Sequence, residues 1–202
     1  MRQFAETEAD LEAIYGVPGA TSVVKVADHL TDQYQAWIEA SPFCAFATVG
    51  PEGMDCSPRG DRGQVAYVVS DRMLAVPDRR GNNRIDTLRN IVRDPRASCM
   101  FLVPGSDTVI RVNGMAKVAI DAETCAQYEM EGKAPRSVIL IEIGEVYFQC
   151  ARALLRAGLW DGQAVPEGLP SPGDILGAMS KGEVGGPDYD KQWPERAATS
   201  MW

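Results

Sequence analysis

The residues with the most chemistry in the smallest space are Pro77-Asp78-Arg79-Arg80-Gly81-Asn82-Asn83-Arg84. They stand between a short apolar run, Met73 to Val76, and a stretch from about Arg84 to Arg93 in which Ile85, Leu88, Ile91 and Val92 share one helical face. A strand should therefore end and a helix begin here. A helix amino terminus offers N–H groups without intrahelical acceptors and a partial positive charge, Gly81 allows close backbone approach, and three guanidinium groups add charge-assisted donors. These are the parts of a phosphate socket. Asn82 and Asn83 suit either helix capping or donation to a ligand. Arg59 and Arg62, on the neighbouring hairpin, could converge on the same anion; the alternative for the whole set is a group of solvated surface arginines.

The charge distribution sharpens this choice. Between Arg59 and Arg96 stand nine arginines, no lysine and five carboxylates, in a chain of 202 residues with a formal charge of −8. Arginine's planar fork pairs bidentately with phosphate, whereas lysine is a compact point charge. The overall negative charge argues against a nonspecific nucleic-acid binder. His29 is the only histidine, so Ser-His-Asp, Cys-His and His-rich metal arrangements would all depend on that one residue. Five cysteines without a C-x-x-C pair suggest neither a zinc cage nor a disulfide framework, and are expected to be reduced and mostly buried. Gly16 to Ser22 superficially resembles a phosphate loop but lacks its lysine and a preceding strand, so it reads as a linker. No catalytic residue is assigned, and no metal is expected.

The elements that must position the socket follow from periodicity. The first forty residues read as helical, with Ser22 capping a helix through Val26, Leu30, Tyr34, Trp37 and Ile38 that ends before Pro42. Phe43 to Val49 and Met54 to Ser57 flank Gly50-Pro51-Glu52-Gly53 as a hairpin, and Val65 to Val69 and Met73 to Val76 form a second. After the socket helix come a strand at Ala97 to Val103 and another at Thr108 to Ile120, with Ile110, Val112, Gly114, Ala116 and Val118 on its inner face. Asp121 caps a helix to about Glu131, Ser137 to Tyr147 reads as a strand buried on both faces, and Gln149 to Arg156 as a helix stopped by Gly158. From Trp160 Gly and Pro are dense, and a loose tail is expected, interrupted at most by a helix at Asp174 to Met179. Short strands without βαβ alternation argue for a mainly β fold with peripheral helices, built as a small antiparallel barrel. One domain is expected over 1–202: a helical segment 1–42, a barrel core 43–158 and a tail 159–202. The longest apolar stretch, Ser137 to Ile143, falls far short of the roughly 20 residues of a membrane span, and the amino terminus is acidic where a signal peptide is basic. A soluble cytoplasmic protein is expected.

Cys56-Ser57-Pro58-Arg59-Gly60-Asp61, the run from Leu74 through Arg93, Arg111-Val112-Asn113-Gly114 and Tyr147 through Ala153 resemble, in order and spacing, the successive motifs of the pyridoxamine 5′-phosphate oxidase-related FMN-binding proteins. The resemblance spans about Phe43 to Trp160. It implies an antiparallel FMN-binding split β-barrel, with FMN between two copies of the chain in a homodimer. It implies that Arg79, Arg80, Asn82, Asn83 and Arg84 grip the phosphate and that Arg59 and Gly60 contact phosphate and ring. Pro77 and Asp78 would lie beside the ribityl chain or ring. Arg111 resembles a position facing the cofactor, its alternative being a cross-strand partner of an acid, and Gln149 and Arg152 would reach across the dimer interface.

The true oxidases carry an Arg-x-His substrate motif near the carboxyl terminus, and no histidine follows His29 here. This argues against oxidation of pyridoxamine phosphate and for a subgroup with its own substrate pocket. The functions that fit are an FMN-dependent oxidoreductase, in which the flavin moves the hydride, a non-catalytic flavin carrier or sensor, and a deazaflavin-dependent reductase on the same fold.

Overall fold

The computed structural model describes residues 2–201. Thr7 opens helix α1 (Glu8–Tyr15) with a capping box: its hydroxyl accepts from the Asp10 amide at 3.2 Å, and the Asp10 carboxylate accepts from the Thr7 amide at 2.9 Å. No residue of α1 is buried. A short α2 (Ala20–Val24) follows, and there the single helix expected from Ser22 to Pro42 is divided. At Ala27 the backbone pairs with Val146, each amide donating to the other's carbonyl at 3.0 and 2.8 Å. Thr31 then caps α3 (Asp32–Glu39) by accepting from the Tyr34 amide. Leu30 and Ile38 do reach the core, with Tyr34 and Trp37 packed against it. The apolar recurrence thus reports burial correctly, while a bridge to the sheet overrides helical continuity.

Two hairpins come next, β1 (Phe43–Gly50) with β2 (Gly53–Gly60), and β3 (Tyr67–Ser70) with β4 (Met73–Pro77). Helix α4 (Asp86–Arg93) leads to β5 (Arg96–Leu102) and β6 (Val109–Ala119), and α5 (Ala122–Ala126), capped by Asp121, to β7 (Val138–Gln149). The strands form one seven-stranded sheet in the order β2-β1-β5-β6-β7-β4-β3, antiparallel throughout. The sheet is not closed, with β2 and β3 as edges and helices at its periphery: a split β-barrel. Its core is built from inward residues such as Phe46, Phe101, Ile110, Val112, Ile139 and Ile141, each at most 1% exposed. At Asn113/Gly114 the β6–β7 register shifts, and a side chain on Gly114 would place its Cβ 2.1 Å from the Glu142 carbonyl oxygen.

β7 is buried on both faces only at its start; from Glu142 exposed Glu142, Gly144 and Glu145 interrupt buried Ile143 and Val146. The helix expected from Gln149 begins at Arg152 instead, as α6 (Arg152–Ala157), because Gln149 still pairs with Val109 in the sheet. Gly158 ends it in the left-handed region at φ 57°.

The tail is not loose. It carries α7 (Pro172–Met179) and an unforeseen α8 (Pro187–Ser200). The Asp190 carboxylate of α8 accepts from the Ser171 hydroxyl at 2.6 Å and the Gly173 amide at 2.9 Å, so one helix caps the other. Pro187 stands in the first turn, where a missing N–H costs nothing, but Pro194 inside the helix hid it from sequence reading. Among the described residues no helix is long and apolar enough to cross a membrane.

Candidate functional site

Strand β2 alternates cleanly. Met54, Cys56, Pro58 and Gly60 face outward and are exposed, while Asp55, Ser57 and Arg59 point inward and are half-buried. The inward three each hold a neighbour. Asp55 accepts from the Thr87 hydroxyl at 2.7 Å, Ser57 and Thr87 share a hydrogen bond at 3.0 Å, and Arg59 Nη1 pairs with the Asp78 carboxylate. The end of β2 is thereby tied to the first turn of α4 and to the residue following β4. Between them opens a cleft of about 810 Å³.

The structure gives the three arginines of the socket different tasks. Arg79 is 11% exposed and pairs through Nε with Asp61, itself 2% exposed, at 2.6 Å; its Nη1 donates to the Tyr128 carbonyl at 2.6 Å. It holds the floor together. Arg80 is exposed on the rim, and Arg84, 75% exposed, leans on Asp86 at 2.8 Å. That contact raises the Arg84 pKa further above its ordinary value, so its charge is permanent. Asn82 accepts from the Arg84 amide at 3.1 Å, Asn83 accepts from Arg136 at 3.2 Å, and neither caps α4. Its cap position is Ile85, which makes no side-chain cap. Asn83 at φ 61° and Ile85 at φ 52° hold left-handed backbone, which is strained for a β-branched side chain. Because isoleucine carries no acceptor, the cap position leaves the amino-terminal N–H groups of α4 without a side-chain cap.

Of the residues singled out from sequence, Arg59, Asp78, Arg79, Arg80, Asn82, Asn83 and Arg84 line the cleft. Gly60 and Pro77 line a hollow of about 190 Å³ that shares Arg59, Arg79 and Arg80 with it. Arg111, Gln149 and Arg152 line neither. Arg111 alternates with buried Ile110 and Val112 on β6, and its guanidinium carbon lies 5.2 Å from the Tyr147 ring centroid. Gln149 is half-buried at the end of β7, and Arg152 is exposed at the start of α6. Arg62 does not join the cleft but pairs with Glu131 at 2.6 Å. Arg111 is thus on the face of β6 opposite the buried Ile110 and Val112, and Arg62 is claimed by a carboxylate.

Sequence reading missed the opposite wall, the loop after α5 with Met130, Lys133, Pro135, Arg136 and Ser137. Its Lys-x-Pro-Arg spacing was the available signal, lying beyond the arginine-rich stretch that drew attention. Trp193 of α8 was missed with its helix. Altogether six cationic side chains line the cleft against the carboxylates of Asp55, Asp78 and Asp86, and the buried Nε of Arg59 has no hydrogen-bond partner among the described residues. Strand ends, helix terminus and cations together supply donors and positive charge of the kind that suits an anionic ligand.

A family model described as pyridoxamine 5′-phosphate oxidase matches residues 30–150 of this chain. Among solved structures, the chain is similar to HupZ of Group A Streptococcus (18% identity over 58% of this chain and 91% of that one, TM-score 0.47). It is also similar to an FMN-binding protein of Syntrophomonas wolfei (15%, 57% and 83%, TM-score 0.44) and to an F420 reductase (17%, 59% and 98%, TM-score 0.43). No curated protein sequence matches it.

Proposed function

Because the chain belongs to the pyridoxamine 5′-phosphate oxidase family, we propose that it binds FMN in this cleft and acts as an FMN-dependent oxidoreductase working as a homodimer. The observation that carries the reading is the uncapped amino terminus of α4, opening on the same cleft as the exposed guanidinium groups of Arg80 and Arg84. A phosphate monoester fits these donors in charge and direction, and the unpartnered Nε of Arg59 offers one more. The bound isoalloxazine supplies hydride acceptance or donation. The chain's own part is to hold and orient. The α4 N–H groups, Arg80 and Arg84 hold the phosphate, and Arg79, locked on Asp61, keeps their loop at fixed distance from β2. Pro77, Gly60 and the Arg59–Asp78 pair border the path from phosphate to ring.

The homodimer is supported by the outer face of the sheet. Cross-strand register aligns Pro58, Ala45, Met100, Arg111 and Tyr147 in one row. Phe43 and Met100, near neighbours across β1 and β5, are each 39% exposed, an apolar surface that a second copy would cover. In that arrangement Arg111, Gln149 and Arg152, which do not serve their own cleft, contribute to the partner's.

Calorimetric titration of apo protein with FMN, FAD, riboflavin and F420, together with sedimentation of apo and holo forms, tests the reading. Stoichiometric FMN, bound more tightly than FAD or riboflavin by a dimer, is expected. Tighter FAD, no flavin binding, or a holo monomer with full flavin would overturn it, and preference for F420 would change the cofactor. NADH or NADPH turnover by the FMN-loaded protein separates enzyme from carrier.

A further inference from the structure

The cleft is completed by a residue that the family match does not reach. Trp193 belongs to α8, outside residues 30–150, yet lines the same cleft as Arg80, Arg84 and Arg136. Trp193 is 57% exposed. A large aromatic side chain left half in water forgoes most of the burial that normally holds it in place.

The position of Trp193 is nevertheless built. The Arg196 guanidinium carbon lies 5.7 Å from the Trp193 centroid and 4.2 Å from that of Tyr189, and Arg196 also donates to the Tyr189 carbonyl at 3.0 Å. Asp190, one helical turn before Trp193, is the carboxylate that caps α7. Gly173 has no room for a side chain, since a Cβ would meet Asp190 Oδ2 at 2.3 Å and the Gly186 carbonyl at 2.4 Å. The two helices are thus locked to each other, and Trp193 projects from that pair where it lines the cleft.

A cleft of about 810 Å³ also has far more room than a phosphate needs. Ligand sites of this size fill the remainder with flat or apolar groups on aromatic side chains. We propose that Trp193 is a ligand-contacting residue whose indole stacks on the planar ring of the ligand anchored by the arginines, so that the carboxy-terminal tail is part of the binding site. The inference rests on the flavin reading, and names the isoalloxazine as that ring.

An indole stacked on a flavin quenches its emission by reversible electron transfer, a readout that a merely structural tryptophan would not move. The full-length protein is titrated with FMN and with riboflavin, wild type beside Trp193→Ala and Trp193→Phe, recording affinity and the emission of bound flavin. Trp193→Ala should weaken both ligands by roughly three- to tenfold, the usual worth of an aromatic stack. It should restore bound-flavin emission several-fold while leaving the FMN-to-riboflavin affinity ratio unchanged. Trp193→Phe should keep most of the affinity with intermediate emission. Intact FMN binding with unchanged affinity and emission in Trp193→Ala would overturn this inference alone. Absence of flavin binding by the wild-type chain would overturn the flavin reading and this inference with it.

Discussion

Replacing Arg79 by Met, beside Arg80 by Ala, separates two neighbours that look alike in the sequence. Arg79 is 11% exposed and Asp61 2%, and without the guanidinium the Asp61 carboxylate keeps the Arg62 amide, at 2.8 Å, as a donor. Stranding one charge of a buried pair costs about 3 to 5 kcal/mol, a large part of the roughly 5 to 15 kcal/mol that holds a domain folded. At a urea slope of about 2 kcal/mol per molar, the unfolding midpoint should fall by about 1.5 to 2.5 M. FMN and riboflavin should then weaken together, since the floor of the cleft is disturbed for both. Arg80→Ala removes an exposed side chain, so stability should move by less than about 0.5 kcal/mol. FMN alone should weaken, by about 1.5 to 3 kcal/mol, the worth of a charged hydrogen bond. Urea unfolding of the apo protein at fixed concentration and calorimetry with both ligands give the two numbers. The double variant Asp61→Asn/Arg79→Met should cost less than the sum of its parts, because the stranded charge is gone. If Arg79→Met shifts the midpoint by under about 0.5 M while selectively losing FMN, Arg79 is a phosphate ligand and the division of labour drawn above is wrong.

Gly114→Ala should destabilise by about 1 to 3 kcal/mol or more, because its Cβ would sit 2.1 Å from the Glu142 carbonyl oxygen; a thermal melt within about 1 °C of wild type contradicts the tight β6–β7 approach. Ile85→Gly relieves a β-branched residue at φ 52° and should stabilise by about 1 kcal/mol or be neutral, whereas a loss beyond about 1 kcal/mol in urea unfolding would mean that the Ile85 side chain matters more than its strain. Hydrogen bonds from His29 first, and then Arg72, hold the Asp28 pKa at about 2 against an ordinary 3.8. Being depressed in the folded state, this contact contributes fully above about pH 4 and is lost as pH falls through about 2. A carboxyl NMR titration of Asp28 with its midpoint near 4 would contradict the geometry.

Periodicity and turn chemistry made the sheet legible. The alternation of Ile110, Val112 and Ala116 and the turns at Pro51 and Asp71 need only near neighbours, and the hairpins lie where the local pattern puts them. The near wall of the cleft was legible for the same reason, since strand end, glycine and helix start are adjacent in the chain. What failed depends on distant partners. Nothing near Ala27 announces Val146, and nothing near Arg79 says that Asp61 and the Tyr128 carbonyl will claim it. Nor does Arg62 reveal that it meets Glu131 rather than the cleft. Helix α8 was hidden by Pro194, a local signal outweighed by the packing of α7 and α8 through Asp190.

The strand order also dictates when the cleft can exist. Its walls come from β2, the first strand in the order, and β4, the sixth, which are brought within reach only when β5, β6 and β7 have filled the space between. The two hairpins close short loops and can form early, whereas β1 must find β5, as Phe43 finds Leu102, and β4 must find β7, as Met73 finds Glu142, across long stretches of chain. Arg59 and Asp78 are only 19 residues apart, yet the strands that carry them stand first and sixth in the sheet, so their pairing depends on where both hairpins are docked. A ligand that needs both walls of the cleft would bind only the finished sheet. At a hundred times its dissociation constant it would add about 2.7 kcal/mol against unfolding of the whole sheet, not of one hairpin.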